Sequence, residues 1–223
     1  MKPRRRRYAF TLIELLVVLG IVALMAGTLG LALRDGDPAR GLESAQATLT
    51  SVLAAAHSQA AVNQNRVLLA IDADPGNDRF LRALHVAVET APNSGLWWLT
   101  DNSVMLPHGV YVVPQSGSVE GATYAPIGTL GPWAETRHSS LRAMPASSVA
   151  LEPDNPAGKY LGMIAPLTAA GLSGSGGGDK FVLGTGRRTP AGVVFEHPAE
   201  VCGIALGAYG SAIQINDATG FDF

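Results

Sequence analysis

Cysteine is almost missing from this chain. Cys202 stands alone among 223 residues, so no intrachain disulfide can form, and a disulfide framework is excluded. The lone thiol reads as a small buried apolar residue in a strand. Charge is also scarce, at 15% of residues, which excludes a disordered acidic or basic tail. After the first nine residues the only adjacent basic pair is Arg187-Arg188. Phosphate neutralisation needs clustered Lys and Arg, so no nucleic-acid partner is expected. The five histidines, His57, His85, His108, His138 and His197, include no pair at metal-ligand spacing and no H-E-x-x-H. There is no G-x-S-x-G elbow and no C-x-x-C. The glycine-rich run from Ser173 to Gly178 is not a phosphate loop, because no Gly-Lys-Ser/Thr follows it. Asp72, Asp74 and Asp78 crowd one loop without meeting the EF-hand pattern, and read as a solvated turn. The sequence therefore calls for no catalytic group, no metal and no cofactor.

What is present is concentrated at the start. Arg4, Arg5, Arg6 and Arg7 precede a hydrophobic run, and Glu14 sits just inside it. Leu15 to Leu33 spans 19 residues without charge or proline, roughly 28 Å of helix, about the hydrocarbon thickness of a bilayer. With Lys2 and the four arginines on its N-terminal side and no acid before Glu14, the positive-inside rule places the N-terminus in the cytoplasm and the rest beyond the membrane. A secretory signal has a shorter core followed by a small-residue cleavage site, which is not found here. A plain single-span anchor fits the length but leaves Glu14 unexplained. A carboxylate in a membrane helix costs on the order of 2.5–3.5 kcal/mol at mid-depth and less near the interface, and it becomes useful only when a positive partner arrives.

The order Ala9-Phe10-Thr11-Leu12-Ile13-Glu14-Leu15-Leu16-Val17-Val18, behind a short basic leader, resembles the processing and assembly signal of type IV pilins and type II secretion pseudopilins. The resemblance implies that a prepilin peptidase cuts between Ala9 and Phe10 and that the new N-terminus of Phe10 is methylated. It also implies that Glu14, then the fifth residue, pairs with the N-terminal amine of a neighbouring subunit. The family usually has Gly before the cut, so Ala9 is a departure, expected to slow processing. Partners implied are the peptidase, other pseudopilins or pilins, the inner-membrane assembly platform and membrane lipid. The localisation implied is a single pass in the bacterial inner membrane, with the head in the periplasm and later in a fibre.

Beyond Arg34-Asp35-Gly36-Asp37-Pro38 the chain reads as a helix break followed by a second helix to about Asn63. Leu42, Ala45, Leu49, Val52, Leu53, Ala56 and Ala60 form one apolar stripe at spacings of three and four, with His57 beside it. Strands are expected at 66–72, 81–89, 96–99, 110–113, 180–183, 193–195, 201–206 and 212–215, each bounded by turn chemistry. In the second of these Leu84, Val86 and Val88 alternate with His85, Ala87 and Glu89. Of Trp97-Trp98, one ring should face a core and the other solvent or a partner.

The expected fold is α+β and pilin-like: a long N-terminal helix, with a membrane half and an amphipathic half, packed on a small antiparallel β-sheet head. Residues 1–9 would be the leader, 10–33 the transmembrane and assembly helix, 34–65 the amphipathic helix and 66–223 the periplasmic head. That head would carry a Gly/Ser/Pro-rich insertion at about 115–179. The helix, the following R-V-L-L-A-I and L-P-H-G-V-Y-V resemble the H-type minor pseudopilins, the GspH/FimT group, with His57 where that group usually has Arg. The function implied is a structural subunit of a type II secretion pseudopilus. The alternatives are a minor pilin of a type IV pilus or DNA-uptake fibre, and, from another class, a membrane-anchored periplasmic binding module. Removing the leader takes five of the 16 basic residues and none of the 18 acids, leaving 11 against 18 and an acidic head, which weighs against direct DNA contact.

Overall fold

A run of apolar residues opens the described chain as a helix, α1 (Leu12–Ala32). The computed structural model describes residues 12–32, 38–124, 135–144, 149–150, 159–173 and 179–221. It divides into two units, Met1–Asp37 and Pro38–Phe223, described here separately. In the first, the side chains at 13 and from Leu15 to Met25 are exposed all around the α1 axis. A helix apolar on every side is stable in lipid or inside a bundle of helices, not in water. Taken over the described residues, no helix is long and apolar enough to cross a membrane. Along α1 the continuous described side chains run only from 15 to 25, while the apolar run of the sequence itself extends to Leu33.

The second unit is built on α2 (Pro38–Asn63). Pro38 suits the first helical position, where its missing N–H has no partner to lose. Gln64 adopts a left-handed φ of 55° and ends the helix. All seven residues of the expected stripe are buried, and Gln46 is buried with them. Fourteen strands follow among the described residues. They are β1 (Val67–Asp72), β2 (Ala83–Glu89), β3 (Trp97–Met105), β4 (Val110–Val112), β5 (Ala122–Tyr124), β6 (Leu141–Ala143) and β7 (Val149–Ala150), then β8 (Tyr160–Met163), β9 (Leu167–Thr168), β10 (Gly171–Leu172), β11 (Lys180–Thr189), β12 (Gly192–Phe195), β13 (Val201–Leu206) and β14 (Ala212–Ile215).

The unit is α+β, and its strands form two sheets instead of one small one. The first runs β10-β9-β1-β2-β3-β7, with β8 also on β1 and β6 on β8. The second runs β14-β13-β11-β12-β5, with β4 on β11. Pairing is antiparallel except for β3 with β7 and β5 with β12. α2 contacts β1, β2 and β9 of the first sheet and β4, β11, β13 and β14 of the second, so one alanine-rich stripe serves two sheets. Phe80, Phe181, Phe195 and Phe221 are the largest fully buried side chains of the shared core.

Several local expectations change, among them β11, which runs on to Thr189 where the expected strand ends at 183. β3 extends to Met105: Ser103, Val104 and Met105 pair with His85, Leu84 and Ala83 of β2, beyond a register shift between His85 and Ala87 that takes up Thr100-Asp101-Asn102. Alternation fails along β2: His85 and Glu89 are buried as well as Leu84 and Val86, His85 edge-to-face with Tyr160 of β8 at 5.5 Å and Glu89 under the Arg66 guanidinium. The 115–179 stretch is partly structural, since Tyr160, Leu161 and Gly162 of β8 pair with Asp72, Ile71 and Ala70 of β1.

Candidate functional site

Arg4, Arg5, Arg6, Arg7, Ala9 and Phe10 lie outside the described residues. Glu14 is the third residue of α1.

In the second unit, polar side chains fasten α2 and the sheets together. Gln46 Nε2 donates to Gly203 O at 2.7 Å and to Ile215 O at 3.0 Å. One buried amide thereby ties α2 to two adjacent strands, β13 and β14. Just past α2, Arg66 and Glu89 form a side-on pair: Arg66 Nε donates to Glu89 Oε2 at 2.7 Å, and Nη2 to Oε1. The Glu89 side chain is fully buried. It also accepts from Gly95 N at 2.9 Å and Asn93 N at 3.3 Å, so the carboxylate closes the turn before β3. The Arg66 hydrogen bonds hold the Glu89 carboxyl below its ordinary range, against the opposing effect of burial. The guanidinium carbon of Arg66 stands 5.8 Å from the Trp97 ring centroid. Trp97 is 5% exposed and Trp98 47%.

The aspartate loop is occupied with its own backbone. Asp72 Oδ1 accepts from Asp74 N at 2.9 Å, Asp72 Oδ2 from Asn77 Nδ2 at 3.3 Å, and Asp74 Oδ1 from Gly76 N at 3.0 Å. Burial raises the Asp72 carboxyl. Arg188 Nη2 reaches the same loop, donating to Pro75 O at 2.6 Å and Asn77 O at 3.0 Å. Among the described residues no group of three or more His, Cys, Asp or Glu is placed to hold a metal. Cys202 is buried, and burial pushes its thiol up to about 12, so the nucleophilic thiolate is suppressed. His57 is half-buried beside the stripe.

One recess, of about 550 Å³, opens on the first sheet, lined by Arg66, Arg142, Trp97, Met144, Met163 and Ile164 among others. Neither it nor the Gln46 clasp is legible in the sequence. Arg142 lies in an illegible stretch, and a glutamine within an apolar stripe carries no signal of its two distant acceptors.

Residues 4–30 match the family described as the prokaryotic N-terminal methylation motif. No curated protein matches the chain. Among solved structures, the chain is similar to the crystal structure of the minor pseudopilin EPSH from the type II secretion system of Vibrio cholerae. Identity is 12%, the match covers 79% of this chain and 96% of that chain, and the TM-score is 0.37, a superposition too loose to argue from. The matched stretch holds the four arginines, Ala9-Phe10 and Glu14 in one block, and by it the chain is identified as a carrier of the prokaryotic N-terminal methylation motif, with a prepilin-like N-terminus.

Proposed function

We propose that the chain is a structural subunit, a minor pseudopilin of a type II secretion pseudopilus, and not an enzyme. The observation that carries this reading is the methylation motif over residues 4–30. In this reading residues 1–9 are a cytoplasmic leader, and prepilin peptidase hydrolyses the Ala9–Phe10 bond. The released amine of Phe10 is methylated and keeps its positive charge. Residues 10–33 remain in the inner membrane until the assembly platform extrudes them, with the head of residues 66–223 outside. Glu14 then meets the N-terminal amine of a neighbouring subunit. In a medium of low dielectric that attraction is strong, and it offsets the cost of holding the carboxylate out of water. The order of the second helix, the following strand and L-P-H-G-V-Y-V supports the H-type placement.

The test is mass spectrometry of the protein purified from cells that express a prepilin peptidase. The expected chain begins at N-methylated Phe10, and Glu14→Ala is expected to leave cleavage intact while lowering recovery in sheared fibres at least about tenfold, in line with breaking a buried charge pair. An intact Met1, or a cut near Gly30, would overturn the reading. Deleting the gene in its own host is expected to strand exported proteins in the periplasm; loss of pilus retraction or DNA uptake instead would move the subunit to a pilus.

A further inference from the structure

We propose that the recess on the first sheet captures an acidic peptide segment, one Asp or Glu side chain flanked by apolar residues, presented by a partner protein. A volume of about 550 Å³ lies within the roughly 300–1,000 Å³ typical of ligand sites. Among the described residues, Arg66 and Arg142 are the only charged ones lining it, and no acid does. This is against the trend of a chain whose residues after the leader hold 18 acids and 11 basic residues. Two basic groups facing one opening suit a negative occupant.

The two arginines contribute differently. Arg66 commits Nε and Nη2 to Glu89, which leaves Nη1 uncommitted by that pair. Glu89 below and Trp97 beside it hold the planar group in one orientation. A guanidinium already ordered loses little freedom on binding. Glu89 offsets most of the Arg66 charge, so the attraction falls to Arg142. Its residue is exposed, and it forms no ion pair with a described carboxylate; Asp179 is the acid that feels its charge. The rest of the lining is mostly apolar, with Leu68, Trp97, Met144, Met163, Pro166 and the half-exposed Ile164, beside one hydroxyl residue, Ser173. Methionines adapt to apolar shapes without demanding one of them. One available positive charge over an apolar floor fits a single carboxylate on an apolar backbone, and lacks the clustered cations that a polyphosphate or nucleic acid requires. The proposal does not rest on the fibre reading.

The experiment uses the full chain in uncharged maltoside micelles and fluorescence anisotropy. The probes are fluorescein-labelled, C-terminally amidated hexapeptides with one Asp or Glu flanked by Leu, Met or Phe, beside their Asn or Gln twins. Acidic members are expected to bind about tenfold more tightly than their twins, the gain of a hydrogen bond to a charged group. Arg142→Gln is expected to abolish that preference and Arg142→Lys to keep part of it, with far-UV circular dichroism unchanged in both. Equal binding of acid and amide twins, a preference that survives Arg142→Gln, or no binding at about 1 mM would overturn the proposal. So would Arg142-dependent binding of phosphatidylglycerol vesicles with no peptide binding, which would assign the recess to lipid headgroups.

Discussion

His85 and Glu89 sit four residues apart on β2, both buried, and both lose stabilising power in acid for different reasons. Burial, and then the charge of Arg79, lowers the His85 imidazole to about 4. A base with a depressed folded pKa supports the fold fully above its unfolded value, about 6.5, and that support is lost as pH falls toward 4. The Glu89 carboxyl is depressed too, first by its Arg66 hydrogen bonds. Its contribution is present above the ordinary glutamate value, about 4.3, and is lost as pH falls through the folded value. Thermal unfolding between pH 8 and pH 3 should therefore show two acid phases. His85→Gln is expected to flatten the first, on the order of 2–3 kcal/mol. Glu89→Gln should cost about 1–3 kcal/mol at neutral pH, a deficit that vanishes below the folded pKa of the wild-type carboxyl. A deficit in Glu89→Gln that is constant with pH would show that lost packing, not charge, is responsible.

At the scale of the element, α2 was readable because its signal is local. Apolar residues at spacings of three and four share one face of any helix, and the seven stripe residues are all buried. The positions of β1 to β4 and β11 to β14 were readable for the same reason, since Gly, Pro and Asp bracket them, whereas the short strands β5 to β10 were not. Sheet membership was not readable. β1 takes β2 from its own hairpin but also β8, whose Gly162 pairs with Ala70, and no local pattern encodes a partner that far along the chain. Polar composition hid the second half of β3, and double-sided burial hid the true environment of His85. The recess combined both difficulties, drawing Arg66 from the residue before β1 and Arg142 from β6, which a local reading cannot bring together. The α2 stripe also makes a sharp contrast testable. Ala56 has no exposure and Ala55 is exposed. Ala56→Leu is expected to destabilise the head by about 1–3 kcal/mol through overpacking, and Ala55→Leu to stay within about 0.5 kcal/mol, by chemical denaturation. At Gly203 a Cβ would stand 1.9 Å from Phe181 O, so Gly203→Ala should be worse than either.

The whole head is held around α2, and its two sheets also meet directly. Arg188 crosses from β11 to the β1–β2 turn, and Leu172 N donates to Ala208 O at 3.0 Å between β10 and the β13–β14 turn. A unit fastened in this way should unfold as one. Urea denaturation of a Trp133→Phe variant, followed by the fluorescence of Trp97 and Trp98 on the first sheet and by alkylation of Cys202 on the second, should give coincident midpoints. Separated midpoints would mean that the sheets are independent. The Gln46 clasp adds a mechanical consequence. Load entering the head at Pro38 runs along α2, whose 26 residues span about 39 Å. The sheets grip that helix along its length from Leu42 to Ala60, and the amide of Gln46 fastens it near the loaded end. Pulling on the chain would have to shear the whole grip at once instead of peeling it one contact at a time. The head would resist traction as a tang resists being drawn from its handle.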